Sequence, residues 1–399
     1  MYLSTLDRTR AAGGSLRTVG GTVYALGAVS LATDVSAEMV TAILPLYLVV
    51  GLQFSPAAYG LIDGLYTGAT VLLRLAGGHV ADRIGRHKAV AGAGYGLSAL
   101  AKLGLLAAGA SGPLIGLAIT ADRAGKGLRT APRDALITLT TPPERLGLAF
   151  GVHRTMDATG AFLGPLAALG VLLLAGGAFG PVFVASFCVA LLGLLILALF
   201  VQDVPPVRRE RATLPWRAVA RTRLLPAACL LGLVTIGDGF VYLLLQRQSG
   251  LGLGWFPLLA VATSLVYLLL AVPLGRLADR YGKVRIMVGG HGALVAVYLL
   301  LAAPLGGWAP LVLVPVLYGV FYAATDGVLM ALAGTVFPPE LRATGLALVQ
   351  SGQALCYVVS SVLFGLAWQA WGPRPALLAA AATAVPVMAG AVYLLMRKP

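Results

Sequence analysis

The chain has 399 residues, of which 59% are hydrophobic and only 11% are charged, and its formal net charge is +14. A soluble domain carries about 25% charged residues, so this composition excludes an ordinary soluble protein. The basic residues are divided among short segments between apolar stretches and do not gather on one polar face. We therefore expect a lipid bilayer around the protein and no nucleic-acid partner.

Apolar stretches of about 20 residues follow one another along the chain, and each is long enough to cross roughly 30 Å of hydrocarbon. Backbone groups in lipid must hydrogen-bond within their own segment, so we predict an all-α integral membrane protein with twelve spans. The predicted limits are 21–50, 58–80, 88–109, 113–135, 147–175, 178–202, 224–247, 256–276, 284–304, 309–336, 344–370 and 375–396.

Alternate connections between the spans carry most of the Arg and Lys residues. Arg83 and Arg86 lie in the second connection, and Arg145 lies in the fourth, flanked by Arg129 and Arg133. Cytoplasmic loops are enriched in Lys and Arg, so we predict that both termini are cytoplasmic. For a bacterial protein this places the chain in the inner membrane.

Two landmarks recur at half-chain spacing. The segment 78–88 returns as 275–285, an offset of 197 residues, and the Pro-Pro-Glu segment at 142–144 returns at 338–340, an offset of 196. Parallel repeats of this kind are a known transporter plan. We therefore predict three segments: an N-terminal six-helix bundle at 1–202, a cytoplasmic linker at 203–223 and a C-terminal six-helix bundle at 224–399.

The repeated loop resembles the signature G-x-x-x-D-R/K-x-G-R-R/K of the major facilitator superfamily. The matching positions are Gly78, Asp82, Arg83, Gly85 and Arg86 in the first copy, and Asp279 and Arg280 in the second. The resemblance covers the whole chain. It implies two pseudo-symmetric bundles, transport by alternating access and no enzymatic activity.

The same resemblance implies a cytoplasmic gate. In the family, the loop motif locks the cytoplasmic side through an Asp near the start of the eleventh helix and an Arg paired to an acid of the fourth helix. Here we expect Asp82 to face residues near 342–346 and Arg86 to face Asp134.

The fifth span contains Gly160 and Gly164, followed by Pro165. This spacing resembles the G-x-x-x-G-P motif of exporters that exchange substrate for protons, although Ala168 and Leu169 replace the closing glycines of that motif. The resemblance implies proton antiport and efflux.

Ionisable residues within a span are costly, and by default they line a functional cavity. Asp34 and Glu38 lie one turn apart on the first span, where joint ionisation is disfavoured, as in a proton carrier. We predict proton coupling at these acids, with Arg123 as the responding charge and Arg154 and Asp157 as further members. The alternatives are acids neutralised by neighbouring bases and an intrahelical pair between Arg154 and Asp157.

In the second half, Asp238 and Asp326 lie within spans and have aromatic residues near them in sequence. Together with Tyr242 and Tyr322 they form a set suited to hold an organic cation by charge and by cation–π attraction. Ordinary helix packing is the alternative role of these aromatics. We predict these four residues as the substrate contacts.

The leading functional hypothesis is secondary active transport of a small molecule or ion, coupled to protons and directed outward. The alternatives are proton-coupled uptake and export of a metal cation or metal chelate. There is no nucleotide-binding sequence G-x-x-x-x-G-K-[ST], which favours gradient coupling over ATP. No nucleophile–base arrangement or metal-ligand spacing stands out, so we expect no enzyme, no cofactor and no bound metal. We expect a monomer.

Overall fold

The residues that the computed structural model describes form helices joined by short turns and connections. The described residues are 20–84, 86–142, 145–202, 222–336 and 342–396, without the side chains of 71–84, 147, 333–335, 342–344 and 347. The first six helices are α1 Gly21–Leu46, α2 Pro56–Ile84, α3 His87–Ala107, α4 Gly112–Leu139, α5 Leu146–Leu174 and α6 Gly180–Phe200. A short π-helix, Tyr47–Gly51, follows α1.

The helices that follow are α7 Leu224–Leu233, α8 Asp238–Ser249, α9 Pro257–Tyr281, α10 Lys283–Ala302, α11 Trp308–Val336, α12 Arg342–Trp371 and α13 Pro373–Met396. They follow the predicted spans in order, and the prediction of an all-α membrane protein with twelve spans is confirmed. Within the described residues, ten of the spans are long and apolar enough to cross a membrane, judged by length and composition only. The exceptions, α2 and α4, carry many of the charged residues discussed below.

The predicted seventh span, 224–247, is not one continuous helix. Residues 234–237 are unwound between α7 and α8. The hydroxyl of Tyr298 donates a hydrogen bond to the carbonyl of Val234 (2.9 Å) and accepts one from the backbone N–H of Ile236 (3.0 Å). One side chain thus satisfies two backbone groups that the interrupted helix leaves without helical partners.

The chain forms two compact units that do not follow its linear order. The first contains the described parts of 1–43 and 69–211, and the second contains those of 44–68 and 212–399. The π-helix and the first half of α2 therefore belong to the second unit. The predicted linker, 203–223, lies almost wholly outside the described residues, and the division of the chain at that linker stays a prediction.

Glycines allow close helix packing within each unit. In the first unit, a Cβ on Gly94 of α3 would lie 2.7 Å from the carbonyl oxygen of Gly125 on α4. In the second unit, Gly60 and Gly64 bring the first half of α2 onto α12. A Cβ on Gly60 would lie 2.6 Å from the carbonyl oxygen of Ser361. Any larger residue at these positions would push the helices apart.

Candidate functional site

Helix α5 lies directly on the acidic face of α1. A Cβ on Gly160 would lie 2.5 Å from the carbonyl oxygen of Leu31 and 3.2 Å from the Cβ of Asp34. A Cβ on Gly164 would lie 2.5 Å from the Cβ of Glu38. The two glycines that resemble the exporter motif therefore hold α5 against the two acids predicted for proton coupling.

This contact places carboxyl groups of α1 and α5 side by side. The carboxyls of Asp34 and Asp157 lie close enough for a hydrogen bond. Arg129 of α4 approaches Asp34 at 3.7 Å, and Arg133 approaches Asp157 at the same distance. Arg154 contacts Asp157 at 3.2 Å from the same helix. The structure thus unites three of the five predicted coupling residues, Asp34, Arg154 and Asp157, and adds two arginines.

The sequence predicts that Arg129 and Arg133 flank the fourth connection, but the structure places them differently. Both lie inside α4 and are almost fully buried, with exposures of 4% and 6%. Arg133 donates to the hydroxyl of Ser30 (2.9 Å) and pairs with Asp134 (3.0 Å), while the Arg129 guanidinium lies 4.8 Å from the ring centre of Tyr95. Their i,i+4 spacing within one span is the signal that predicts a shared inward face.

Arg123, the predicted responding charge, belongs to a second buried cluster. Its guanidinium pairs with the carboxylate of its neighbour Asp122. The same carboxylate pairs with Lys102 of α3 at 3.0 Å, and Lys102 also donates to the carbonyl of Ser98 (2.9 Å). One anion therefore serves two cations and joins α3 to α4. Whether Arg123 also responds to the proton stays a prediction.

Glu38, the other predicted proton site, is half-buried one turn from Asp34. No ion pair to it occurs among the side chains that the structure describes. Arg154 is the most exposed member of the cluster, with 59% of its side chain accessible. The arrangement therefore contains two half-buried carboxyls beside two buried arginines, flanked by the half-buried Glu38 and the exposed Arg154.

In the second unit, the predicted substrate residues divide into two groups. Asp238, the first residue of α8, accepts hydrogen bonds from the hydroxyls of Tyr318 (2.6 Å) and Tyr322. The ring of Tyr242 packs edge-on against Tyr318, with ring centres 6.1 Å apart. Asp326 lies one turn beyond Tyr322 on α11 and is exposed.

Asp326 is close enough to the Tyr267 hydroxyl of α9 for a hydrogen bond. Within the described part of the chain, no Lys or Arg side chain lies within 4 Å of its carboxylate. Asp326 therefore offers an accessible negative charge beside aromatic rings, whereas Asp238 is enclosed by tyrosine hydroxyls.

Asp63 was not among the predicted site residues, but the structure places it, half-buried, in the second unit. It accepts a hydrogen bond from the hydroxyl of Ser361 on α12 and lies within hydrogen-bonding reach of Tyr59 and Tyr357. It also lies against Gly237, at the unwound residues of the seventh span. These hydroxyls fasten the first half of α2 to α12.

Most of the predicted cytoplasmic gate lies outside the described side chains. The positions that lie outside are Gly78, Asp82, Arg83 and Gly85. Arg86 is exposed, and its expected partner Asp134 pairs with Arg133 at 3.0 Å. In the second copy, Asp279 pairs with Lys283 at 3.5 Å, and Arg280 lies 5.3 Å from the ring centre of Tyr281. The gate stays a prediction.

The contact between α5 and α1 leads to a direct test of packing. Gly164→Ala should lower the free energy of unfolding by about 1–3 kcal/mol, because the new methyl group meets the backbone of α1. The measurement is the melting temperature of the purified protein. Gly170→Ala on the same helix is the matched control, since a Cβ there has nothing within 4 Å. An equal melting temperature for both variants would contradict this contact.

The family of the chain follows from comparison with known proteins. The model of the Major Facilitator Superfamily matches residues 26–261 and 248–399. The chain belongs to this superfamily. It is 27% identical over 364 residues to an uncharacterised MFS-type transporter of Methanocaldococcus jannaschii, covering 88% of this chain and 90% of the relative. It is 30% identical over 355 residues to an uncharacterised protein of Mycobacterium tuberculosis, covering 84% and 77%.

Solved structures show the same fold at low sequence identity. A crystal structure of a variant of the nucleoside transporter NupG matches with a TM-score of 0.79 at 15% identity, covering 94% of this chain and 99% of that chain. A D-xylose-proton symporter matches with a TM-score of 0.69 at 16% identity, covering 95% and 97%. Membership of the superfamily makes the protein a multi-pass membrane transporter and not an enzyme.

Proposed function

We propose that the protein is a proton-coupled exporter of small organic cations, in which the pair Asp34–Asp157 binds the transported proton. The observation that carries the proposal is the approach of these two carboxyls across the α1–α5 contact. A hydrogen bond between two carboxyls needs a proton on one of them. Two carboxylates without that proton would repel each other.

The two buried arginines explain how the proton is released. When α1 and α5 move during alternating access, the shared hydrogen bond breaks and each carboxyl keeps an arginine beside it. Arg129 near Asp34 and Arg133 near Asp157 then favour the ionised forms. Glu38 is a second acid within one turn of the pair and is available as an alternative acceptor.

The substrate class follows from the second unit. Asp326 presents an accessible carboxylate, and Tyr322 and Tyr267 lie beside it. A carboxylate with aromatic neighbours suits an organic cation. Because a cation and a proton both compensate negative charge, exchange of one for the other is the coupling expected of such a transporter, in agreement with the resemblance of α5 to exporters.

The test uses purified protein in proteoliposomes with ethidium as a fluorescent organic cation. Exchange for protons predicts that vesicles with an acidic lumen accumulate ethidium, since outward proton flow drives the cation inward. Accumulation only when the medium is acidic would instead indicate proton-coupled uptake. Accumulation of Zn²⁺ in place of ethidium would favour the metal-cation alternative.

The proton site is tested by two isosteric variants. Asp34→Asn and Asp157→Asn should lose accumulation driven by the pH gradient but keep ethidium exchange at equal pH, because they remove the titratable group and leave its volume. Exchange is the control for folding and substrate binding in the same vesicles. If both variants accumulate ethidium as the parent protein does, the proton binds elsewhere.

A further inference from the structure

His153 of α5 has an arrangement that the proposed transport cycle does not yet use. It is 0% exposed, and neither ring nitrogen has a hydrogen-bond partner among the residues that the structure describes. The Oδ1 atom of Asp157, four residues later on the same helix, is also buried; it lies 3.7 Å from the Arg133 guanidinium but makes no hydrogen bond within the described residues. Residues at i and i+4 are neighbours on a helix surface, so these three polar atoms lie in one place.

A comparison with His291 shows that burial alone does not produce this arrangement. His291 is similarly buried in the second unit, but its Nδ1 contacts the carbonyl of Met287 at 2.8 Å. Of the histidines whose side chains the structure describes, His153 is the one with both nitrogens unpartnered. A buried polar group without a partner is costly, and native proteins usually satisfy it with protein atoms or ordered water.

The charged groups around the ring come from two helices. Arg133 and Asp134 of α4, and Arg154 and Asp157 of α5, are near enough to influence its charge. Among these two cations and two acids, Arg133 has the largest influence and disfavours a positive charge on the ring. Such surroundings suit a group that passes a proton on and does not hold it.

The geometry points to His153 as a proton relay between the Asp34–Asp157 pair and the end of α5 at Leu146, with an ordered water bridging Asp157 and the ring. This inference rests on the proposed proton binding at that pair. A neutral imidazole carries one N–H donor and one acceptor nitrogen. It accepts a proton from the bridging water at one nitrogen and releases the proton already on the other.

The step balances without any other reactant. As the water transfers a proton to the ring, it takes one from the Asp157 carboxyl, so an O–H bond breaks and an N–H bond forms. The N–H bond at the opposite nitrogen then breaks as its proton passes to a second water on the side of the start of α5, which our topology predicts to be cytoplasmic. Transfer through a single water is within the reach of a general acid or base.

The first experiment needs no substrate. Histidine-specific ¹⁵N NMR of the protein in lipid nanodiscs, with signals assigned by single His substitutions, should show that Asp157→Asn shifts the His153 ring signals. The His291 signals should stay unchanged, because His291 contacts a backbone carbonyl of α10. An unshifted His153 signal would overturn the contact on which the relay depends, whatever the transport assays show.

The second experiment tests the relay by measuring ethidium transport in proteoliposomes. His153→Asn should lower the initial rate of ethidium accumulation driven by the pH gradient by about 10²-fold, the rate contribution typical of a positioned proton-transfer group, and keep exchange at equal pH. His153→Ala should show the same loss, with recovery on addition of free imidazole. The matched control is His291→Asn, for which full accumulation is expected.

These outcomes separate the relay from the function on which it rests. If the parent protein shows no accumulation driven by a pH gradient, the proposed function fails. If the parent accumulates ethidium and His153→Asn does so equally, the relay alone fails. An equal loss of accumulation and exchange in His153→Ala, without recovery by imidazole, would show a structural role and would also overturn the relay.

Discussion

Asp122→Asn should destabilise the protein by about 3–5 kcal/mol, measured as a fall in melting temperature in detergent or nanodiscs, because it removes the anion that compensates two buried cations. Lys102 and Arg123 are 3% and 4% exposed and share this carboxylate. After the substitution, Lys102 keeps only its bond to the carbonyl of Ser98 within the described residues. A buried cation that has lost its anion is far more costly than an exposed one.

The matched variant Lys102→Met makes the prediction sharper. It removes one of the two cations and leaves Asp122 paired one-to-one with Arg123, so the remaining charges balance. We therefore expect Lys102→Met to cost much less than Asp122→Asn, although both alter the same ion pair. A melting temperature that falls equally in the two variants would show that the cluster is stabilised by packing and not by charge.

The spans and the fold class could be predicted from the sequence because they depend on local properties. A hydrocarbon core of roughly 30 Å needs about 20 apolar residues, and the chain shows such stretches directly. The acids Asp34 and Asp157 were also predictable, because an ionisable residue within a span signals function by default. Their mutual approach was not, since it depends on how closely Gly160 and Gly164 bring α5 to α1.

Arg129 and Arg133 were misplaced for a physical reason. The predicted fourth span ended at 135, whereas α4 continues to Leu139, so both arginines lie about a turn deeper than expected. Counting Arg and Lys in loops is informative for topology, but it cannot distinguish a basic residue at a helix end from one buried just inside it. Their partners on α1 and α5 are more than 20 residues away in sequence.

The pairing of Arg123 with Asp122 was likewise hidden from sequence reasoning. Consecutive residues on a helix do not face each other, so the predicted partner of Arg123 was an acid on α1. In the folded protein, Lys102 of α3 draws the Asp122 carboxylate into the same buried cluster. The partners of Asp63 could not be predicted from the sequence either, because this residue belongs to the first half of the sequence but to the second compact unit.

The unwound residues of the seventh span lead to the second large effect, that of Tyr298→Phe. This variant preserves the ring and deletes only the hydroxyl that bonds the carbonyl of Val234 and the N–H of Ile236. Both residues are buried, with exposures of 6% and 2%, so water does not readily replace the hydroxyl. Each backbone group left unsatisfied costs about 1–3 kcal/mol, and we expect a corresponding fall in melting temperature.

Loss of the Tyr298 hydroxyl should affect function as well as stability, because the unwound residues lie next to a predicted substrate residue. Residues 234–237 lead into α8, whose first residue, Asp238, accepts hydrogen bonds from Tyr318 and Tyr322. Without the Tyr298 hydroxyl, residues 234–237 should open, and the Asp238 carboxylate should shift from the two tyrosines. Hydrogen exchange of the amide of Ile236, followed by mass spectrometry, should therefore accelerate in Tyr298→Phe. Tyr281→Phe, at a residue that is 50% exposed, is the control. Equal protection of this amide in the two variants would mean that packing alone maintains the break, and that the hydroxyl contributes little to it.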